Sequence, residues 1–221
     1  TMKDWKYGET PAEPEYSSTT HDISKAIVTY AVKGSEEYTS EKPSVPGTYT
    51  VKVTLPETSE YQEISAKCDF TIEKADLNVV TENYTGDYDG KAHSATVTCD
   101  GADIRYGIKK GTYDLTSMPQ FTDAGSYTVY YEVSKENYNT VTGSVTVTIA
   151  QISGSVKVSI TDWNYGETPS EPVIKSDTYD VKNAVITYSI KDEDEYGSEK
   201  PSVPGEYVMK VFFPETDNME S

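Results

Sequence analysis

The 221-residue chain has only two cysteines and two histidines, and its 19 basic side chains are outnumbered by 37 acidic ones, giving a net charge of −18. Two thiols without CxxC spacing do not form a metal cage. A nucleic-acid partner is disfavoured, because affinity for phosphates depends on lysine and arginine. No apolar run approaches the roughly 20 residues of a membrane-spanning helix. We therefore expect neither nucleic-acid binding nor direct membrane insertion.

The most informative feature is an internal repeat. Residues 4–62 align without a gap with residues 162–220, so that DWKYGETPAEP recurs as DWNYGETPSEP and EKPSVPGTYTVKV as EKPSVPGEYVMKV. A diverged third copy lies between them. One glycine marks the same point in every copy, at Gly47, Gly125 and Gly205. We predict three modules from this period of roughly 79 residues: module one at 1–75, module two at 76–150 and module three at 151–221.

Module two is predicted to be complete, whereas the outer modules each lack one strand. Module one has no counterpart of ISGSVKVSI, and module three has no counterpart of AKCDFTIEKA. A sandwich without its closing strand exposes an unpaired edge. We therefore expect the chain to be part of a longer protein, with possible strand pairing between module three and another chain.

Within each module the apolar residues recur with a period of two, which is typical of strands. Tyr49, Val51 and Val53 alternate with Thr50 and Lys52. An earlier strand repeats an apolar-Tyr-apolar order that we expect to face inward, at Val28, Tyr30 and Val32, at Ile104, Tyr106 and Ile108, and at Ile186, Tyr188 and Ile190. A sheet with one apolar face covers it with another sheet. The alternation therefore predicts an all-β fold of tandem immunoglobulin-like β-sandwich modules, and the short junctions between them favour an elongated rod.

A tyrosine two residues after the shared glycine supports this fold. DAGSY at 123–127 resembles the entry to strand F of immunoglobulin-like domains, where a corner tyrosine returns its hydroxyl to upstream backbone. We predict this structural tyrosine corner at Tyr49, Tyr127 and Tyr207. Cys68 and Cys99 fall on inward faces of different modules, and we interpret them as small buried hydrophobes without a bridge.

The sequence YDGKAHSATVT, followed by FTDAGSYTVYYEVSKENYNTVTGSVTVTI, resembles the bacterial immunoglobulin-like repeats of the YDG or MBG type. Such repeats occur in tandem in large cell-surface proteins of Gram-positive bacteria, notably Firmicutes. Modules one and three, with WxYGETP and KPSVPGxY, look like sister variants. The resemblance implies an extracellular location, on the cell surface or associated with the cell wall, in a stalk, a spacer or an adhesin. Fold alone does not settle the function.

Groups suited to catalysis are scarce. His21 is replaced by Tyr179 in module three, so we interpret it as an exposed loop residue, and His93 as a residue with a structural hydrogen bond. No nucleophile, phosphate-binding or metalloprotease motif occurs. We interpret the acidic run 192–195 as a solvated hairpin tip, since calcium needs converging oxygens. We therefore predict no enzyme activity, no catalytic residue, no metal site and no cofactor.

Aromatic residues form the best candidate for a binding site. Trp5 and Tyr7, like Trp163 and Tyr165, lie two residues apart, so in an extended segment they point the same way and form a flat ledge on which a sugar ring stacks. The alternative is that each tryptophan packs against the end of its sandwich.

The leading hypothesis is a non-catalytic structural stalk, spacer or adhesin repeat of a large bacterial cell-surface protein. The alternative is a carbohydrate-binding region that uses Trp5, Tyr7, Trp163 and Tyr165. Possible partners are host or dietary glycans, or another surface protein.

Overall fold

The computed structural model describes all residues, 1–221, and is almost entirely β-structure. The strands are β1 Trp5–Lys6, β2 Ile27–Val32, β3 Gly47–Leu55, β4 Ile64–Glu73, β5 Val80–Glu82, β6 Tyr84–Asp87, β7 Thr96–Thr98, β8 Asp103–Gly107, β9 Gly125–Ser134, β10 Val141–Ala150, β11 Val156–Ser159, β12 Val173–Ser176, β13 Val185–Ile190 and β14 Tyr207–Phe212. Two 3₁₀-helices span Ile23–Lys25 and Val181–Asn183, and there is no α-helix. The predicted fold class, all-β with tandem β-sandwich modules, is confirmed. Neither helix has the length and apolarity to cross a membrane.

The chain forms two compact units. The first comprises Thr1–Thr81, Val97–Ser117 and Tyr130–Gly143, and the second comprises Glu82–Thr96, Met118–Val129 and Ser144–Ser221. The sheet of module one lies within the first unit, and the sheets of module three lie within the second. The boundaries of the three modules stay a prediction from the sequence repeat.

Module one is a four-stranded sheet in the order β1-β4-β3-β2. β3 pairs antiparallel with β2 and β4, and β1 runs parallel to β4. Alternate residues of these strands face one side, as their period of two requires. Six of the side chains that they bury form one cluster, which consists of Trp5, Tyr30, Tyr49, Val51, Phe70 and Ile72.

Module two contains a four-stranded sheet in the order β6-β10-β9-β8 and a two-stranded sheet of β5 and β7. β6 runs parallel to β10, as β1 does to β4 in module one. β9 and β10 contribute alternating valines that are almost completely buried, namely Val129, Val133, Val145 and Val147. Valine suits these positions because β-branched side chains pack well on a pleated surface.

Module three contains two antiparallel pairs, β11 with β12 and β13 with β14. β13 and β14 match β2 and β3 of module one residue for residue, as Ile27↔Thr54 becomes Val185↔Phe212. The side chains of β14 alternate between half-buried and exposed. The sheet of module three therefore has two of the four strands that module one has.

The inward triplet predicted for β2, β8 and β13 is wrong at its third residue. Val32, Ile108 and Ile190 are 63%, 70% and 50% exposed, whereas the small residues just before them, Ala31, Gly107 and Ser189, are buried or nearly so. The following loop explains the difference, because it folds back and pairs with the central tyrosine of each strand. These bridges are Tyr30↔Thr39, Tyr106↔Leu115 and Tyr188↔Gly197.

Candidate functional site

The three corner tyrosines make the same hydrogen bond in every module. Each hydroxyl donates to the carbonyl oxygen four residues upstream, from Tyr49 to Val45 (3.0 Å), from Tyr127 to Asp123 (3.0 Å) and from Tyr207 to Val203 (3.1 Å). A Cβ atom at Gly47 would lie 3.1 Å from the Tyr49 hydroxyl oxygen. A glycine lies two residues before each corner tyrosine because the tyrosine ring folds over the backbone of that glycine.

Removal of one corner hydroxyl should lower stability measurably. Tyr49 is 9% exposed, so Tyr49→Phe leaves the Val45 carbonyl without this donor, at a cost of about 1 kcal/mol. Urea denaturation of the wild type and the variant measures the difference. Tyr16→Phe is the control, because Tyr16 is 39% exposed and should change stability by less than about 0.5 kcal/mol. Equal effects at the two positions would contradict this role of the hydroxyl.

Trp5 is a core residue, which corrects the predicted aromatic ledge in module one. Its side chain is 8% exposed, and its ring stacks on Phe70 with centroids 5.1 Å apart and planes at 14°. The parallel pairing of Trp5 with Ile72 directs the ring into the core. Tyr7 is half-buried and packs edge-on against Tyr138, at 5.7 Å. Because the Trp5 ring is buried, the two rings do not form a common flat ledge on which a sugar could stack.

The equivalent residues of module three are in a different environment. Trp163 is half-buried and lies outside any strand, and Tyr165 is 77% exposed. Module two has Gly86 where module one has Trp5, and a Cβ atom there would lie 2.6 Å from the hydroxyl oxygen of Tyr84. Tyr165 of module three is therefore the most exposed of the four predicted aromatic residues, and ligand binding by Trp163 and Tyr165 stays a prediction.

His21 is buried, contrary to its interpretation as an exposed loop residue. Its side chain is 9% exposed, and Nε2 donates to the Gln62 carbonyl oxygen at 3.0 Å. In module three, the Tyr179 hydroxyl donates to the carbonyl oxygen of Glu220, the residue equivalent to Gln62, at 2.9 Å. The two side chains differ in chemistry but satisfy the same backbone acceptor. His21 is thus a structural donor.

His93 makes the hydrogen bond that the sequence predicted, and its partner is Asp89. Nε2 donates to Asp89 Oδ1 at 2.8 Å, and the imidazole stacks on Tyr84 with centroids 4.4 Å apart. This hydrogen bond is the main cause that lowers the pKa of Asp89 from 3.8 to about 2, and the backbone N–H of Lys91 contributes further. Asp89 therefore stays ionised in acid that protonates an ordinary carboxylate.

The depressed pKa of Asp89 predicts a loss of stability in acid. The ionised carboxylate stabilises the folded chain above the unfolded pKa of about 4, and this contribution disappears as the pH falls to about 2. Melting temperatures from pH 5 to pH 2 should fall less steeply in Asp89→Asn than in the wild type. Asp192→Asn, in the exposed acidic run, is the control. If the melting temperature of Asp89→Asn fell with pH as steeply as that of the wild type, the prediction would be contradicted.

The connection between modules one and two is a backbone contact that sequence reasoning missed. Ala75 forms a parallel bridge with Tyr138, in the loop between β9 and β10. The Ala75 N–H donates to the Asn137 carbonyl oxygen at 3.1 Å, and the Asn139 N–H donates to the Ala75 carbonyl oxygen at 2.8 Å. The N–H and the C=O of Ala75, the last residue of module one, are therefore both bonded to module two. Main-chain bonds leave no pattern of side chains in the sequence.

Side chains reinforce this first junction. Lys6 forms an ion pair with Asp76 at 2.6 Å, and Asn139 donates to the same carboxylate at 2.8 Å. The hydrogen bond from Lys6 is the main cause that lowers the pKa of Asp76, and the bond from Asn139 adds to it. Modules one and two thus share one carboxylate, although its exposure limits the energy of the pair.

The second junction repeats the first. Ile152, equivalent to Ala75, forms a parallel bridge with Met219. Its N–H donates to the Asn218 carbonyl oxygen at 3.2 Å and its carbonyl accepts from the Glu220 N–H at 3.0 Å. The Asn218 side chain also accepts from the Ala124 N–H at 2.6 Å. The same two backbone bonds therefore connect each module to the next.

The remaining chemically interesting residues are separate from one another. Cys68 and Cys99 are half-buried free thiols, and Cys68 packs against the core of module one. The acidic run 192–195 is exposed. No group of three or more His, Cys, Asp or Glu side chains has a geometry that could hold a metal ion. The repeated contacts of this chain are therefore its corner bonds and junctions.

Comparison with known proteins matches one part of the chain to a domain family. No curated protein matches the chain. Among solved structures, the chain is similar to Sidekick-1 immunoglobulin domains 1–5, with 10% identity over 87% of this chain and 46% of that one and a TM-score of 0.29. It is also similar to protocadherin gamma B2 extracellular cadherin domains 1–5, with 11% identity over 87% and 50% and a TM-score of 0.27. The chain spans about half the length of these structures. Residues 78–153, which include nearly all of module two, match the family model of the MBG domain.

Proposed function

We propose that the chain is a non-catalytic structural repeat region of a large bacterial cell-surface protein, where it acts as a spacer or as part of an adhesin. The match of residues 78–153 to the MBG domain supports a repeat module of this kind. The resemblance of the YDGKAHSATVT segment to Gram-positive surface repeats supports the location at the cell surface or the cell wall. The high negative charge would help neighbouring stalks to stay apart.

The observation that carries this proposal is that the same pair of backbone hydrogen bonds joins the modules at both junctions. A spacer has to hold each module in a fixed position relative to the next one, and this requires connections that restrict hinge motion. Ala75 and Ile152 each form two backbone hydrogen bonds with the loop of the following module. The first junction, residues 73–76, contains no glycine or serine that would let the modules move independently. Ser153, Gly154 and Ser155 follow the second junction, but the Gly154 N–H donates to the Tyr179 hydroxyl at 3.0 Å.

The experiment that tests a spacer measures motion across the first junction. Backbone ¹⁵N relaxation should give modules one and two the same rotational correlation time, and insertion of Gly-Gly after Ala75 should make the two times shorter and unequal. A Gly-Gly insertion beside Gly111 is the control and should leave the two correlation times equal. Gly111 is an exposed turn residue, and no atom lies within 4 Å of a Cβ placed there. Independent tumbling of the two modules in the wild type would contradict the proposal.

A second candidate function is glycan binding in module three. Tyr165 is 77% exposed and Trp163 is half-buried on the same segment, and flat aromatic faces of this kind stack on sugar rings. Titration with a panel of soluble glycans should change tryptophan fluorescence saturably, and Tyr165→Ala and Trp163→Ala should abolish the response. Trp5→Phe is the control, because Trp5 lies in the core. No response to any glycan would leave the spacer as the function.

A further inference from the structure

We propose that modules one and two each contain a mechanical clamp that resists tension along the chain. The clamp is the parallel pair of an entry strand and the last strand of the module, β1 with β4 in module one and β6 with β10 in module two. β5 precedes β6, but it is exposed and pairs only with β7, so tension reaches β6 once β5 detaches. The inference goes beyond the proposed spacer, because independent tumbling of the modules would contradict the spacer and leave the clamp intact.

The parallel direction of these pairs decides how tension loads them. The chain enters the clamp of module two through β6 and leaves it through β10, and the pairing runs from Tyr84↔Val147 to Asp87↔Ala150. The entry point and the exit point therefore lie at opposite ends of the ladder. Tension slides the two strands past each other and loads all their hydrogen bonds together. In an antiparallel pair both points lie at one end, and the bonds break one after another.

A side-chain hydrogen bond extends the ladder at its entry end in both modules. The residue before the entry strand is Asp4 in module one and Asn83 in module two. Asp4 Oδ1 accepts from the Thr71 N–H at 2.6 Å, and Asn83 Oδ1 accepts from the Thr146 N–H at 2.9 Å. Each bond lies one position before the first backbone pair of its ladder. Two modules with little sequence in common therefore share this additional bond.

The exit end of the ladder is also the same in both modules. The Tyr7 N–H donates to the Glu73 carbonyl oxygen at 2.9 Å, and the Tyr88 N–H donates to the Ala150 carbonyl oxygen at 2.9 Å. Between the two ends, β1 and β4 pair over two residues, whereas β6 and β10 pair over four. More bonds share the load in module two, so module two should unfold at a higher force than module one.

An aromatic ring of the entry strand lies beside each ladder. In module one, Trp5 stacks on Phe70 with centroids 5.1 Å apart. In module two, Tyr84 stacks on His93 with centroids 4.4 Å apart, and its ring lies along β6, where a Cβ atom at Gly86 would be 2.6 Å from the Tyr84 hydroxyl oxygen. Such rings lower the local dielectric and strengthen neighbouring hydrogen bonds. The bonds that carry the load are therefore shielded from competing water.

The test pulls module two in two directions within the full chain. Cys68→Ser and Cys99→Ser remove the native thiols, and two cysteines introduced at exposed positions carry DNA handles for optical tweezers. Handles on Glu82→Cys and Ala150→Cys load β6 and β10 in shear, whereas handles on Glu82→Cys and Thr140→Cys pull both strands from their entry ends. The unfolding force should be at least about twofold higher in shear, because forced unfolding follows the unfolding rate and shear loads all the bonds together.

Both handle pairs unfold the same module, so a difference in force reports the direction of loading and not the stability of the fold. Asn83→Ala removes the side-chain bond to Thr146 and should lower the force in shear. Asn83→Asp is the matched variant, because it keeps an acceptor oxygen like that of Asp4, and it should retain the wild-type force. Equal forces in the two directions would overturn the proposal, and so would an undiminished shear force in Asn83→Ala.

Discussion

Trp5→Ala should destabilise module one by about 3–5 kcal/mol, the cost of removing a large aromatic side chain from a core. The Trp5 side chain is 8% exposed and stacks on Phe70, in the cluster that includes Val51 and Ile72. Its removal leaves a cavity that the paired strands β1 and β4 cannot close without breaking their register. Hydrogen exchange of the β4 amides, read residue by residue, measures the loss in module one.

The repeat supplies a matched control for this prediction. Trp163 lies at the position equivalent to Trp5, but it is half-buried and lies outside any strand. Trp163→Ala should therefore cost no more than about 1 kcal/mol, as expected for a residue near the surface. Equal destabilisation by the two substitutions would mean that the stack on Phe70 does not support module one.

Gly107→Ala should destabilise module two by about 1–3 kcal/mol, the range for overpacking of a filled site. A Cβ atom at Gly107 would lie 1.8 Å from the backbone carbonyl oxygen of Thr112. The loop cannot move away freely, because Leu115 is bonded in both directions to Tyr106. Urea denaturation followed by hydrogen exchange in β8 and β9 measures the effect.

Gly197→Ala is the control for the steric argument. Gly197 lies in the corresponding returning loop of module three, and nothing lies within 4 Å of a Cβ atom placed there. The substitution should change stability by less than about 0.5 kcal/mol. If Gly107→Ala were equally harmless, the loop after β8 would have to be free to shift.

Features that depend on neighbouring residues in the chain could be predicted from the sequence. The alternation of Val129, Tyr131 and Val133 requires only the pleat of one strand, and all three are buried. The bond from Tyr127 to the Asp123 carbonyl spans four residues, so the segment DAGSY contains both partners. Local geometry determines both features.

Features that depend on distant partners could not be predicted in this way. The side of an extended segment on which Trp5 is buried depends on Phe70 in β4, 65 positions further along the chain. The burial of His21 depends in the same way on the carbonyl of Gln62. A period of two identifies the two faces of a strand, but it does not show where a returning loop covers the outer face. In β2 the loop that pairs with Tyr30 returns on that side, and Ala31 is buried while Val32 is exposed.

The backbone character of the junctions bears on how such a chain can change its length. Ala75 and Ile152 are held by N–H and C=O groups that every residue except proline possesses. Modules with little sequence in common can therefore be joined by the same bonds, as modules one and two are. Duplication or deletion of a whole module preserves the two backbone bonds of the connection. A gene that encodes such tandem modules can therefore gain or lose one without further substitutions at the junctions.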